Sequence, residues 1–205
     1  GRAFRAAGTS LAGELTLLDP LPAFRYLYPD GVALDVHPRP EDTLASVERT
    51  LGRAAPAGLE AFLAYSRRIW EAAAPHFVYG PAPSAASLAG LGLGAVGALR
   101  GIDPLRRMWG AIRGRVRSPH LRMLLARYAT YNGSDPRRAP ATLNCIAHVE
   151  LALGGHGVRG GMYEVARALA RAAERADVRF RYGARVERMR ERSGGGWEAA
   201  TADGA

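Results

Sequence analysis

The sequence predicts a mixed fold: a helix-rich α+β region with antiparallel strands, followed by part of an α/β domain of the nucleotide-binding kind. The main observation is the order of patterns in residues 158–202, where a glycine pair, an amphipathic helix, an alternating strand and a hairpin follow one another. The apolar face of this predicted helix consists of Met162, Val165, Ala166, Leu169 and Ala173. Residues 178–182 then alternate apolar side chains with arginine, which is the period of a half-buried strand. We expect the helix to pack on the sheet that this strand joins.

The N-terminal part predicts a hairpin and two helices. Two alternating segments, 24–28 and 32–36, flank the turn signal Pro-Asp-Gly at residues 29–31. Pro40 opens a helix whose first turn carries acidic residues, which the helix dipole favours. A second helix follows Pro56. It is expected to bury Leu59, Phe62, Leu63, Ile69 and Trp70.

The middle of the chain contains an uncharged stretch at residues 81–99 that is rich in Pro, Ala, Ser, Gly and Leu. Its apolar run is shorter than the roughly 20 residues that span a bilayer. Three interpretations of this stretch remain possible: a buried helix, a segment at the membrane surface and a channel wall. Residues 92–97 match G-x-G-x-x-G formally, but no strand precedes them and no acid follows about 20 residues later, so we reject a dinucleotide site there.

Three further helices are expected beyond that stretch. Two cover residues 103–115 and 121–127, separated by Ser-Pro, and the third runs from 139 to about 153, where two glycines end it. An aromatic segment at 127–136 ends in a dense turn signal. The third helix is largely apolar, which indicates burial.

The net charge of +9 is carried entirely by arginine, since all 28 basic residues are arginine. Arginine stacks on rings and binds anions bidentately, so nucleic acid, acidic phospholipid and a phosphate-bearing cofactor all fit this charge. The arginines are spread along the chain, which also fits a lysine-poor composition with solvated faces. Composition alone does not choose among these partners.

Candidate sites that rest on residue type alone are weak. Cys145 and His148 lie three residues apart, but two ligands do not make a zinc site, so no metal site is predicted. The single cysteine fits a reducing, cytosolic compartment. The terminal segments, 1–5 and 201–205, are typical of an internal piece of a longer protein.

Three motifs together resemble the carotenoid desaturases, which belong to the amine-oxidase-like flavoproteins. They are RYATYNGSDP at 127–136, APATLN at 139–144 and RGGMY at 159–163, followed by YGARV at 182–186. The hairpin at 24–36 also fits, so the resemblance covers nearly the whole chain. The sequence lacks the family's N-terminal FAD-binding fingerprint. The resemblance therefore implies an internal piece of the enzyme, with a substrate-binding region over residues 1–154 and part of a Rossmann-like FAD-binding domain over 155–205.

The resemblance implies FAD as cofactor and a long apolar carotenoid, such as phytoene or a hydroxycarotenoid, as substrate. Gly160, Gly161 and Met162 would lie near the flavin edge, where consecutive glycines let the backbone approach a flat ring. By the resemblance, Val186 is the residue whose backbone meets the adenine. No residue is predicted to be catalytic, because FAD carries the redox chemistry. The candidate substrate-lining residues are Tyr128, Tyr131 and Asn132, although Tyr128 and Tyr131 also suit a packed core.

The enzyme is expected to lie at the membrane surface on the cytoplasmic side, where an arginine-rich face would help collect an apolar substrate from anionic lipid. No nucleic acid is expected as partner of this enzyme. Two other interpretations remain open. One is a different FAD oxidoreductase of the same superfamily, and the other is a non-catalytic basic module that binds lipid or nucleic acid.

Overall fold

The computed structural model describes residues 1–80 and 101–202, and it divides the chain into two compact units. We call Leu18–Gly157 the helical unit. The split unit combines Gly1–Leu17 with Val158–Ala205. The two compact units divide at 17/18 and at 157/158, so the first 17 residues belong to the same unit as the C-terminal stretch. The uncharged run and the rejected glycine fingerprint, at 81–99, lie outside the described residues.

The helical unit begins with the predicted hairpin. Strands β2 (Phe24–Leu27) and β3 (Ala33–Val36) are antiparallel, with Tyr26 opposite Leu34. Strand β1 (Leu17–Leu18) precedes them and pairs with β4 (Gly157–Val158) in a separate two-stranded sheet. Arg25 and Asp35 face each other across β2 and β3 and form an ion pair with Nε–Oδ1 at 2.6 Å. The hairpin predicted from the alternating pattern around Pro-Asp-Gly is confirmed.

Two long helices follow, as predicted. Helix α3 (Pro40–Leu51) starts at its proline, and α4 (Ala55–Ala73) continues into a π-helical turn, Ala74–Val78. Leu59, Phe62 and Ile69 of α4 are buried in one core with Leu34 and Val36 of β3.

The next helix is shorter than predicted. Helix α5 (Met108–Arg113) begins five residues after the expected start, because Asp103 has a φ of +50° and Arg107 forms an antiparallel bridge with Pro140. Helix α6 (Pro119–Ala126) starts after Ser118, whose hydroxyl accepts a hydrogen bond from the N–H of Leu121. A 3₁₀-helix, Arg127–Asn132, continues directly from α6.

The third predicted helix is present in two parts. A 3₁₀ turn, Ala141–Asn144, leads into α7 (Cys145–Leu151), and Gly154 follows with a φ of +80°. Ala147 and Leu151 of α7 are buried in the core of the helical unit. The expectation of a largely buried helix is confirmed for these positions.

The split unit has a small core. Helix α1 (Arg2–Ala6) and the short α2 (Leu11–Glu14) come from its first segment, and α8 (Tyr163–Glu174) comes from its second. Its buried residues are Phe4, Leu15, Val158, Ala168 and Ala172. The predicted apolar face of α8 is wrong in part, since Phe4 packs on the side that carries Ala168 and Ala172. Ala166, Leu169 and Ala173 instead line an open groove with Phe180 and Tyr182.

The strand predicted at 178–182 is also not formed within the described residues. Its apolar side chains are exposed, and Phe180 and Tyr182 stack on each other with ring centroids 5.8 Å apart. A strand needs a hydrogen-bonded neighbour, and none of the strands in the described part pairs with it. The hairpin after it is confirmed as β5 (Val186–Glu191) and β6 (Trp197–Thr201).

Candidate functional site

The most unusual polar group of the helical unit is the carboxylate of Glu150 on α7, whose side chain is 11% exposed. Its Oε1 accepts hydrogen bonds from Arg127 Nη2 at 2.5 Å and from Tyr128 Oη at 3.0 Å. Its Oε2 accepts a third from Tyr131 Oη at 2.6 Å. A nearly buried carboxylate needs such partners, because an unpaired charge in the interior costs several kcal/mol.

The 3₁₀-helix explains why two tyrosines reach the same carboxylate. With three residues per turn, side chains at positions i and i+3 lie one above the other. Tyr128 and Tyr131 therefore point in the same direction, with ring centroids 6.1 Å apart. We call Tyr26, Arg127, Tyr128, Tyr131 and Glu150 the Glu150 cluster.

The guanidinium of Arg127 lies among aromatic rings. Its central carbon is 4.9 Å from the ring centroid of Tyr128, 5.5 Å from that of Tyr26 and 5.7 Å from that of Tyr131. The ring of Phe24 is also near, at 5.9 Å. Such contacts stabilise a cation that has lost part of its water. Arg127 thus joins β2 to the 3₁₀-helix through rings and to α7 through the carboxylate.

The phenol groups of the cluster stay neutral, and those of Tyr128 and Tyr131 donate to Glu150. Burial raises the pKa of Tyr128 and of Tyr26. The hydrogen bond to Glu150 raises the pKa of Tyr131. With its hydroxyl tied to Glu150, Tyr131 offers a ring face that suits an apolar ligand.

The three predicted substrate-lining residues differ in exposure. Tyr128 is fully buried at 0%, whereas Tyr131 is 57% exposed. Asn132 is exposed and does not join the cluster; its carbonyl accepts a hydrogen bond from Ser134 Oγ at 3.3 Å. Of these three residues, Tyr131 and Asn132 are therefore accessible to a ligand, whereas the buried ring of Tyr128 packs behind that of Tyr131.

In the split unit, the predicted glycine pair forms an exposed turn before α8. Gly160 and Gly161 have φ values of +84° and +97°, a region that favours glycine. A Cβ on Gly161 would meet no atom within 4 Å, so the space above its backbone is open. Met162 follows, 67% exposed, at the N-terminus of α8.

Val186 lies at the start of the C-terminal hairpin. Arg185, the residue before it, accepts a hydrogen bond through its carbonyl from the N–H of Ala202. Val186 is the first residue of β5 and is paired with Thr201, and the register of the two strands shifts between Val186 and Arg188. The Val186 side chain is 50% exposed.

Comparison with known proteins identifies the family. The family described as "Flavin containing amine oxidoreductase" matches residues 6–205. The chain belongs to this flavin-containing amine oxidoreductase family. A flavin cofactor is implied by the family, and the open space above the backbone of Gly161 fits a flat group.

The relatives of this flavoprotein segment include carotenoid enzymes. It is 33% identical over 192 residues to a hydroxyneurosporene desaturase of Rhodobacter capsulatus, which covers 93% of the chain and 38% of that protein. It is 34% identical over 192 residues to a phytoene dehydrogenase of Streptomyces griseus, covering 94% of the chain and 37% of that protein. A hydroxyneurosporene desaturase of Rubrivivax gelatinosus is 37% identical over 150 residues, covering 69% and 28%. The chain thus spans less than two fifths of the length of these relatives.

Sequence reasoning missed three members of the Glu150 cluster in this family member. The sequence patterns identify Arg127 only as part of a motif and Tyr26 only as a strand residue, and they do not single out Glu150. A signal was available, since Glu150 is an acid within a largely apolar helix, where a buried charge requires a partner. The identity of that partner depends on how α7 packs.

Two other expectations concern metal and membrane. Residues 1–80 and 101–202 contain no group of three or more His, Cys, Asp or Glu side chains that could hold a metal. Burial raises the pKa of the Cys145 thiol and lowers that of His148. No helix in the described ranges combines the length and apolar character that crossing a bilayer requires.

Proposed function

We propose that this chain is a segment of an FAD-dependent carotenoid desaturase. The observation that carries the proposal is its similarity, over 93 to 94% of its length, to a hydroxyneurosporene desaturase and a phytoene dehydrogenase. The names of both relatives refer to the removal of hydrogen from a polyene. Since the chain spans only part of these relatives, the activity is proposed for the whole protein.

The reaction would convert a C–C single bond next to a conjugated system into a double bond, with loss of one hydrogen from each carbon. Bound FAD would take up the two hydrogens, as two electrons and two protons in total, and so would supply the redox chemistry. The protein's task is then to orient the polyene and to exclude water. No acid–base pair of this chain is assigned to the reaction.

The split unit is proposed to contribute to a Rossmann-like FAD-binding domain. Gly160, Gly161 and Met162 would face the flavin, and the backbone of Val186 would hydrogen-bond the adenine. The φ values at the two glycines and the open space at Gly161 support this, because a side chain there would hold a ring away from the backbone. The exposed apolar segment at 178–182 would pair as a strand with sheet residues of the whole protein.

The helical unit is proposed to bind the substrate. Tyr131 would present its ring to the polyene, with Asn132 beside it and Tyr128 behind it. The support is the exposed but anchored ring of Tyr131, whose hydroxyl is held by Glu150. A hydrocarbon substrate offers few polar handles, so shape and ring faces must provide discrimination. The protein is proposed to act at a membrane surface, where such substrates dissolve.

The test is to purify this chain and a version extended in frame to the length of its relatives, and to record flavin absorbance for each. The extended protein should retain flavin and, with hydroxyneurosporene or phytoene, give a red-shifted product spectrum. Flavin without a spectral change for any carotenoid would favour another oxidoreductase of the family. Flavin in neither protein would contradict the proposal and favour a non-catalytic binding module.

A substitution sharpens the test of the substrate wall. In the extended protein, Tyr131→Ala should reduce kcat/KM for the carotenoid by about tenfold or more while flavin content stays unchanged, since one apolar ring contact is lost. Tyr79→Ala removes a tyrosine of the helical unit that is likewise 57% exposed and lies outside the Glu150 cluster, and it serves as the matched control. Equal effects of the two substitutions would contradict a specific role for Tyr131.

A further inference from the structure

A second surface of the helical unit, separate from the Glu150 cluster, combines one very exposed leucine with arginines. Leu105 is 94% exposed, which is the highest value among the large apolar side chains of the described residues. Arg107 follows two residues later and lines a cleft of about 510 Å³ with Arg137 and Arg138. We call Leu105, Arg107, Arg137 and Arg138 the arginine platform.

The platform is held by backbone hydrogen bonds between two segments of the chain. The N–H groups of Met108 and Trp109 donate to the carbonyls of Ala139 and Pro136, both at 2.9 Å. The N–H of Ala141 donates to the carbonyl of Arg106, also at 2.9 Å. Met108 is fully buried, so this arrangement is attached directly to the core. The exposed side chains therefore project from a fixed backbone rather than from a loose loop.

The charge of the cleft is unbalanced. Its lining contains three guanidinium groups and one carboxylate, that of Asp135. This carboxylate accepts a hydrogen bond from the N–H of Arg137 at 2.8 Å, so it serves the turn. Within residues 1–80 and 101–202, no carboxylate lies within ion-pair distance of Arg107, Arg137 or Arg138. Arg107 does donate to the carbonyl of Arg138, at 2.7 Å, which fixes its position.

Leu105 stands two residues before Arg107, which lines a cleft with Arg137 and Arg138. This combination of an exposed apolar side chain and unbalanced positive charge fits an anionic bilayer better than other acidic partners. At a bilayer surface, arginine meets lipid phosphates at the depth where an adjacent apolar side chain enters the acyl region. The phosphates of a nucleic-acid duplex would also attract the arginines, but they would leave Leu105 against a charged backbone. The juxtaposition thus matches both layers of the membrane interface.

We propose that the arginine platform binds the anionic phosphates of a membrane surface, with Leu105 inserted among the lipid chains. This inference rests on the proposed function only in that a membrane is where the apolar substrate would be found. The binding itself requires neither flavin nor turnover, so it is measured separately from both.

The experiment is co-sedimentation of the purified chain with vesicles of phosphatidylcholine and phosphatidylglycerol at about three to one. The double substitution R137Q/R138Q should weaken binding about 30-fold, since each basic side chain at an anionic surface contributes about 1 kcal/mol. Leu105→Gln should weaken it about tenfold through loss of apolar insertion. Circular dichroism of each variant checks that the fold is retained.

The matched control is R188Q/R190Q, which removes the same charge from the exposed strand β5 of the split unit. This control should reduce binding less than threefold. Equal losses for the two double variants would overturn the proposal, because net charge alone would then explain binding. Failure of the unmodified chain to sediment would also overturn it, without affecting the flavin and product spectra of the extended protein.

A last arm separates lipid from free phosphate. Inorganic phosphate, added at constant ionic strength, should not displace the chain from vesicles, since the proposed contact includes Leu105 and several headgroups. Displacement by phosphate, together with an unchanged affinity of Leu105→Gln, would identify a small-anion site and contradict the membrane assignment.

Discussion

The two units differ in how completely they bury their apolar residues. The helical unit surrounds a continuous core in which Phe62, Ile112 and Leu125 are fully buried. The split unit buries little beyond Phe4 and four smaller side chains, and it exposes Tyr182 at 80% and Trp197 at 64%. The comparison shows that the helical unit is stabilised by its own packing. In the split unit, large apolar faces are exposed where we propose that the remainder of an FAD-binding domain packs.

The largest test of this contrast is a pair of phenylalanine substitutions. Phe62→Ala removes a ring that is 0% exposed and should lower the free energy of unfolding by about 3–5 kcal/mol. Phe180→Ala removes a ring that is 43% exposed and should cost less than about 1 kcal/mol. Urea denaturation followed by tryptophan fluorescence measures both.

The tryptophans allow each unit to be followed separately. Trp70 and Trp109 belong to the helical unit, and Trp197 belongs to the split unit. In a background where Trp70 and Trp109 are replaced by Phe, only Trp197 reports, and it should show the earlier transition. A later transition at Trp197, or a Phe180→Ala loss as large as that of Phe62→Ala, would refute the contrast. In the extended protein, Phe180→Ala should become more costly, because its ring would then be covered.

The next effect concerns a charge within the helical unit. Glu150→Ala should lower the free energy of unfolding by about 3 kcal/mol, because it leaves Arg127 partly buried without its carboxylate and two tyrosine hydroxyls without an acceptor. Asp35→Ala breaks the more exposed pair with Arg25 and is the control. Asp35→Ala should lower the free energy of unfolding clearly less than Glu150→Ala does. Denaturation curves that shift equally for the two variants would show that the Glu150 cluster behaves as an ordinary surface ion pair.

The two units also differ in how much the sequence revealed. In the helical unit, the turn at 29–31 and the prolines at 40 and 56 are strong local signals, and the hairpin and helices predicted from them are present. The start of α5 was misplaced because Asp103 adopts a positive φ and Arg107 pairs with Pro140, which no local pattern indicates. Glu150 could not be matched with Arg127 because 23 positions separate the two residues, and only the packing of α7 brings them together.

In the split unit, periodicity was a weaker guide. The pattern at 178–182 is that of a strand, yet a strand forms only where a neighbour supplies hydrogen bonds. Likewise, the buried face of α8 is the one that packs with Phe4, a residue distant from it in the sequence. Local pattern therefore gave the type of element, whereas its partner depended on residues remote in the chain.

A smaller effect is expected at the glycine turn of the split unit. Gly161→Ala should cost about 1–3 kcal/mol, because a φ of +97° is strained for alanine even though no atom lies within 4 Å of the new Cβ. Gly155→Ala is the control, since that position is equally open and has no positive φ. In the extended protein, Gly161→Ala should also lower flavin content. Normal stability with reduced flavin would assign this glycine to the cofactor alone, and normal values of both would contradict its proposed role.

The smallest effect is expected from pH, since it depends on a single imidazole of the helical unit. His148 is 8% exposed, and burial lowers its pKa below the ordinary value of 6.5, with Glu71 opposing and Arg67 adding to the shift. The folded state thus holds this imidazole neutral, while the unfolded chain protonates it at higher pH. The stabilisation of the folded state by the neutral His148 is fully present above pH 6.5 and is lost as the pH falls through 6.5 toward the pKa of the folded state. The free energy of unfolding should therefore decrease between about pH 7 and pH 5, and His148→Gln should remove part of that slope. Parallel pH profiles for the two proteins would show that His148 is solvated in the native state, and that the core of the helical unit is less closed at α7 than the buried Ala147 and Leu151 indicate.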